Sequence, residues 1–195
     1  MRIIGGRLSG RTFSAPSGRG TRPTSDRVRE ALASALESRG AFHDARVMDL
    51  FAGTGAFSFE ALSRGASHAV VVDRDPRALR QLAQSAKELG LGAEIRTSRV
   101  DLLGDPAGAA HEIPEAEEGF SLVFADAPYS EIDSVPPLLD ALVAAGRLAP
   151  GAWVVIEHPA THDWSWPNRL ASEADYRYGQ TGISLGVYAP EKGTQ

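Results

Sequence analysis

The 195-residue chain contains no cysteine, only two methionines, and aromatic residues at just 7%. Without cysteine there can be no disulfide and no thiolate-held zinc or iron–sulfur centre. Its five histidines (His43, His68, His111, His158 and His162) show no metal-ligand spacing. His158 and His162 are four apart, but Pro159 between them disfavours the helix that would align them. No apolar run approaches the roughly 20 residues needed to span a bilayer. The opening MRIIGGRLSGR also lacks the apolar stretch and cleavage pattern of a secretory signal. Also missing are a G-x-S-x-G elbow and a phosphate-binding G-x-x-x-x-G-K-[ST] loop, which counts against common hydrolases and nucleotidases. A metal-free cytoplasmic protein, not bound to membranes, is the expectation.

Positive charge is scarce overall but concentrated. The formal net charge is -5. Residues 1–29 nevertheless carry Arg2, Arg7, Arg11, Arg19, Arg22, Arg27 and Arg29 against the single acid Asp26, a local balance of +6. Residues 101–118 carry six acids and no Lys or Arg. A polyanion responds to the field of one face, not to the molecular sum. The arginine-rich stretch therefore reads either as an RNA-contacting arm or as a solvated one.

Regular patterning begins after residue 23. Val28, Leu32 and Leu36 lie four apart on a helix that ends at Gly40. Strands are expected at 46–50, 69–72, 93–97, 120–124 and 153–157, separated by helices to about residue 64, over 76–89, and near 134–147. The 101–118 segment reads as an acidic, glycine- and proline-containing connection. Strands alternating with helices of this length predict βαβ units and a parallel sheet. Tyr176–Tyr178 and Ile183–Tyr188, around GQTG, predict a closing antiparallel hairpin. Length and pattern suit a single α/β domain over residues 24–195, preceded by an extension over 1–23.

Two turns carry the chemistry. In VMDLFAGTGAFSFEAL, a strand passes through Gly53 and Gly55 into a helix, so backbone can approach a ligand at the carboxyl edge of the sheet. The nicotinamide fingerprint requires a third glycine where Ser58 stands. Asp49, at the strand end, suits a positively charged ligand group. Asp73 closes the next strand, where a carboxylate can accept both hydroxyls of an adenosine ribose. Asp101 follows the third strand and could sit near the adenine edge. These acids alone do not separate a nicotinamide cofactor from S-adenosylmethionine.

The second turn is ADAPY. Asp126 and the carbonyl of Ala127 can accept hydrogen bonds from an exocyclic amine. Pro128 keeps Ala127 out of the helical region, and Tyr129 offers a face for a flipped-out base. An aryl amine is a poor nucleophile because its lone pair is delocalised into the ring. Acceptors around its N–H bonds favour a more tetrahedral nitrogen and stabilise the positive charge that develops during in-line methyl transfer.

The blocks MRIIGGRLSGR, RPTSDRVREAL, DLFAGTGAFSFEALSRGA, VVVDRD and YRYGQTGISL together resemble the RsmD family, bacterial methyltransferases of guanine N2 in small-subunit ribosomal RNA. The similarity runs over nearly the whole chain. It implies a doubly wound, Rossmann-like class I methyltransferase fold with seven mostly parallel strands, the last antiparallel. It also implies S-adenosylmethionine as cofactor and small-subunit rRNA, or an assembling small subunit, as partner of a monomer. Asp49, Phe51, Gly53 and Gly55, with Ala52 and Thr54 between them, would form the cofactor loop. Asp73, with Arg74, would take the ribose, and Asp101 would lie by the adenine. Thr24 and Asp26 would cover the cofactor. Arg2, Arg7, Arg11, Arg22 and Arg29 would receive RNA, and Asp126, Ala127, Pro128 and Tyr129 would serve the guanine. The family has two prolines between acid and aromatic residue; here Ala127 replaces the first, which predicts a modestly looser site. The same residue types would also serve an adenine or a protein glutamine, or remain in a non-catalytic RNA-binding assembly protein.

Overall fold

In the computed structural model, which describes residues 1–14 and 26–190, five parallel strands run from one edge of a seven-stranded sheet, and a hairpin completes the other edge. The strands are β1 (Arg46–Leu50), β2 (His68–Asp73), β3 (Ile95–Arg99), β4 (Phe120–Ala125), β5 (Leu148–Pro159), β6 (Leu170–Tyr178) and β7 (Thr181–Tyr188). Their order is β3-β2-β1-β4-β5-β7-β6. β7 runs antiparallel to both β5 and β6, as the closing hairpin required. The chain winds outward from β1 through β2 to β3, then returns to place β4 on the other side of β1. This reversal opens a crevice at the carboxyl ends of β1 and β4, where open α/β sheets bind ligands.

Both faces are covered, which explains why the central strands are almost continuously apolar. Helices α1 (Asp26–Glu37), α2 (Ala56–Ser63) and α3 (Pro76–Leu89) lie on one face. There Leu32, Leu36, Phe59, Leu62, Leu79 and Leu82 join Val47, Val71, Leu122, Phe124 and Val155 of the sheet. Helices α4 (Pro106–Glu112) and α5 (Val135–Ala144) cover the other, where Ala110, Leu138 and Leu142 meet Met48, Val70, Val123 and Ile156.

Local chemistry sets the helix ends. Asp75 caps α3 by accepting the N–H of Arg77 at 2.8 Å, Pro76 fills its first turn, and Gly90 ends it with φ +79°. Asp105 and Pro106 start α4 in the same way. This helix falls inside the stretch read from sequence as a connection. With only seven residues and small alanines as its buried face, it shows no long apolar period. The third strand lies two residues later than expected, because pairing of Ile95–Arg99 with Ala69–Asp73 sets its register. A 3-10 turn, Tyr129–Ser134, precedes α5, and β6 extends back to Leu170 along its pairing with β7.

The described part of the N-terminal segment packs on the domain. Ile3 and Phe13 are buried in the α1–α3 cluster. Arg2 and Thr12 form a single antiparallel bridge. The Glu60 carboxylate accepts the N–H groups of Ile4 and Gly5, each at 2.8 Å. No helix among the described residues is long and apolar enough to cross a membrane.

Candidate active site

Four strands carry an acid at or near the carboxyl end, and sheet periodicity aims all four at one face. Side chains alternate along a strand. Asp49 therefore shares the side of Val47, Asp73 that of Val71, Asp126 that of Phe124, and Glu157 that of Val155. All four apolar residues belong to the α1–α3 cluster, and all four acids line one crevice of about 1050 Å³. Phe51, Ala52, Gly53, Thr54, Arg74, Asp101, Ala127, Pro128 and Tyr129 line it too. The loop after β1 and the turn after β4 thus face each other across shared space.

The β1–α2 loop folds through alternate left-handed residues: Phe51 at φ +58°, Gly53 at +50° and Gly55 at +72°. Ala52 donates its N–H to Val72 at 3.0 Å, and Gly53 donates to the Asp73 carboxylate at 2.8 Å. The glycines do different work. A Cβ on Gly55 would come within 2.6 Å of Leu82, so that glycine lets α3 pack against the loop. A Cβ on Gly53 would meet only the Phe51 carbonyl at 3.8 Å, leaving its outer side open to the crevice. The other oxygen of Asp73 accepts the N–H of Asp75 at 2.8 Å. Each of its oxygens keeps a lone pair for a ribose hydroxyl.

Asp49 is 1% exposed and accepts both the hydroxyl of Ser58, at 2.6 Å, and its N–H, at 3.3 Å. Burial pushes its carboxyl up to about 7, against the lowering effect of Ser58, with a further push from Asp73. Ser58, which displaces the third glycine of a nicotinamide motif, is thus the partner that holds Asp49. Asp126 is partly open to the crevice but hemmed in by protein, and its carboxyl is raised well above the usual range. Desolvation is the main cause, followed by the charges of Glu157 and then Asp49. A pocket with several crowded carboxylates favours a cationic ligand.

Around Asp126, the Tyr129 hydroxyl lies 3.2 Å from that of Thr181. Phe57 and Phe124 stack at 4.1 Å between centroids and form an apolar wall. Ala127 is buried in the α4–α5 cluster. Pro128 is extended, with φ -51° and ψ 136°.

The remaining expected residues divide between the crevice and the outer surface. Asp101 lies at the crevice rim, where it accepts the N–H of Leu103 at 3.1 Å. Asp26 is exposed and bonds Arg2 at 2.9 Å and Arg29 at 2.7 Å, away from the crevice lining. Those two arginines hold its carboxyl below the usual range. Arg29 is buried, donates to the carbonyl of Arg2 as well as to Asp26, and lines the crevice. Arg7 pairs with Glu94, and Arg11 donates to the carbonyl of Glu88. Thr24 and Arg22 lie outside the described residues.

Glu157, Phe57, Phe124 and Thr181 line the site but were not singled out from sequence. For Glu157 a signal existed: VVIE repeats the pattern of VMD, VVVD and VFAD, an acid closing an apolar strand. Among the described residues no cluster of three or more His, Asp or Glu could hold a metal ion.

Residues 1–187 match the family described as Conserved hypothetical protein 95. The Escherichia coli (strain K12) Ribosomal RNA small subunit methyltransferase D is 34% identical over 189 residues, covering 92% of this chain and 89% of that protein. The chain belongs to the RsmD family. A solved hypothetical protein from Thermus thermophilus is 30% identical, with a TM-score of 0.74 over 95% of this chain and 98% of that one. An RNA methyltransferase from Salinibacter ruber, solved with S-adenosyl-L-homocysteine, shares the fold: TM-score 0.62, 18% identity, 89% and 97% coverage. As an RsmD-family member the chain is an S-adenosylmethionine-dependent methyltransferase of the Rossmann-like class. The crevice fits that cofactor, since Gly53 leaves room above the loop, Asp73 can meet a ribose, and buried acids suit a sulfonium cation.

Proposed function

We propose that the protein methylates the exocyclic N2 amine of a guanine in small-subunit ribosomal RNA. One observation carries the reading: the acceptor turn Asp126–Tyr129 opens into the same crevice as the Gly53 loop. A 34% identical relative is a small-subunit rRNA methyltransferase, which supports the choice of RNA.

S-adenosylmethionine supplies an electrophilic methyl group on a sulfonium. The chain's task is to position and polarise. Phe51 to Gly55 and Asp73 would hold the adenosine end, Arg74 would flank the ribose, and Asp101 would reach the adenine edge. Asp49 would place negative charge near the cationic end of the cofactor. Asp126 and the Ala127 carbonyl would accept from the two amine hydrogens, concentrating the nitrogen lone pair toward the methyl. They would also stabilise the ammonium-like charge as the C–N bond forms and the C–S bond breaks. Pro128 would hold the turn and Tyr129 would stack on the base. No strong base is needed beforehand, since the methylated ammonium is acidic and loses its proton afterwards.

The test supplies labelled S-adenosylmethionine with small-subunit rRNA and with assembling small subunits, then maps the modified nucleotide and atom. N2-methylguanine at one position is the expected product. Label on adenine N6 or on a protein glutamine would overturn the reading.

A further inference from the structure

Beside Asp126, on the neighbouring strand, stands a second acid that the RsmD motif blocks do not include. β4 and β5 pair in register through Ala125 and Ile156. The next residues, Asp126 and Glu157, therefore stand side by side, on strands about 4.8 Å apart. By alternation both project to the crevice side of the sheet. Glu157 is 5% exposed and lines the crevice together with Asp126, Tyr129 and Thr181. Its charge acts directly on the Asp126 carboxyl.

Such a pair is costly to bury, and amine activation alone requires only Asp126 and a carbonyl. Its geometry matches a ligand edge with two adjacent donors. The Watson–Crick edge of guanine presents N1–H beside N2–H, whereas 2-aminopurine and adenine present a bare N1 lone pair. A sulfonium cation in the same crevice would draw off any proton the two acids share, leaving two acceptors.

We infer that Glu157 is the specificity-determining residue of the target site, accepting N1–H of the guanine whose N2 amine is held by Asp126. This rests on the guanine reading proposed above. A base offering a lone pair at N1 would face the carboxylate unpaired, and buried unpaired polar groups discriminate strongly. In Glu157→Gln, the amide can turn its N–H toward such a lone pair or its carbonyl toward N1–H. The substitution keeps size and shape while abolishing the preference.

The experiment uses small-subunit particles whose rRNA carries, at the mapped nucleotide, either guanosine or 2-aminopurine riboside introduced by ligation. Both bases keep the N2 amine. The wild-type protein should methylate guanosine with kcat/KM on the order of a hundredfold above 2-aminopurine. In Glu157→Gln that ratio should shrink to about threefold, with guanosine turnover reduced. Titration with S-adenosylmethionine checks that the variant holds its fold. If it does not bind cofactor, Glu157→Asp carries the test: a retained guanosine preference at lower kcat supports the role, and a lost preference with continued N2 methylation overturns it. An unchanged ratio in a folded Glu157→Gln protein overturns the inference while leaving guanine methylation intact. Absence of N2 methylation of guanosine by the wild-type protein would instead sink the guanine reading itself.

Discussion

Asp126 and Ala127 are adjacent, yet the structure gives them opposite tasks. Asp126 opens to the crevice, whereas the methyl of Ala127 is buried against the α4–α5 cluster. On the proposed reading, Asp126→Ala should lower turnover by about 10²- to 10³-fold, the usual scale for removing one preorganised electrostatic group. Cofactor and RNA dissociation constants should each change only a few-fold. Single-turnover rates alongside binding titrations separate these effects, and an equal loss in RNA binding would make Asp126 a docking residue. Ala127→Pro restores the family residue and a ring constraint. It should change the methyl-transfer rate by less than about tenfold, because the acceptor carbonyl stays and the position already precedes a proline. A larger change in either direction would show that the alanine tunes the site.

Among elements, the N-terminal segment was expected to be an arm, but its described part is anchored. Ile3 and Phe13 supply apolar burial, while Glu60 on α2 takes two backbone N–H groups and the Arg64 guanidinium at 2.7 Å. Truncation in Glu60→Ala would strand two donors and leave Arg64 with Glu37 as its remaining carboxylate partner, a loss of about 3 kcal/mol. Chemical denaturation should show it as a lower midpoint. Unchanged stability would mean that the segment is held by Ile3 and Phe13 alone. Sequence could not reveal this anchoring, because the glycines and arginines of residues 1–12 resemble a solvated linker until Glu60 is placed beneath them.

For the whole molecule, charge is the governing quantity. The net charge of -5 must coexist with binding a polyanion in the proposed function. Arg7 and Arg11 have exposed ends tied to α3 and the segment after it, through Glu88 and Glu94. Replacing both with alanine should weaken RNA binding and lower the salt dependence by about two counterions, leaving cofactor affinity nearly unchanged. Filter binding across a salt series would report it, and an unaltered slope would exclude these arginines from the RNA face.

The crowded acids give a second global property. Asp49 has a folded-state carboxyl raised to about 7, and Asp126 shifts in the same direction. Between the ordinary carboxylate range and about pH 7, the folded protein holds protons that the unfolded chain has released. Stability therefore falls as pH rises through that window. A bound sulfonium favours the ionised acids, so S-adenosylmethionine affinity should rise by about tenfold from pH 6 to 8. The neutral thioether product should show a smaller rise, and Asp49→Asn should flatten both cofactor affinity and stability across this range. Calorimetry at the two pH values tests the sign, and a cofactor affinity that falls with pH would contradict it.

From sequence alone came the βαβ alternation, the glycine turn, the acids at 49, 73 and 126, and the closing hairpin. Each is written in local terms: short continuous apolar runs, glycines at left-handed positions, and a proline after an acceptor. What tertiary structure decided depends on partners distant along the chain. Pairing with β2 set the register of β3, and α5 gave the short α4 a surface to bury against. Burial turned Arg29 inward, and the neighbouring strand placed Glu157 beside Asp126. An acid at a strand end is visible in the sequence; which other acid it stands beside follows only from strand order.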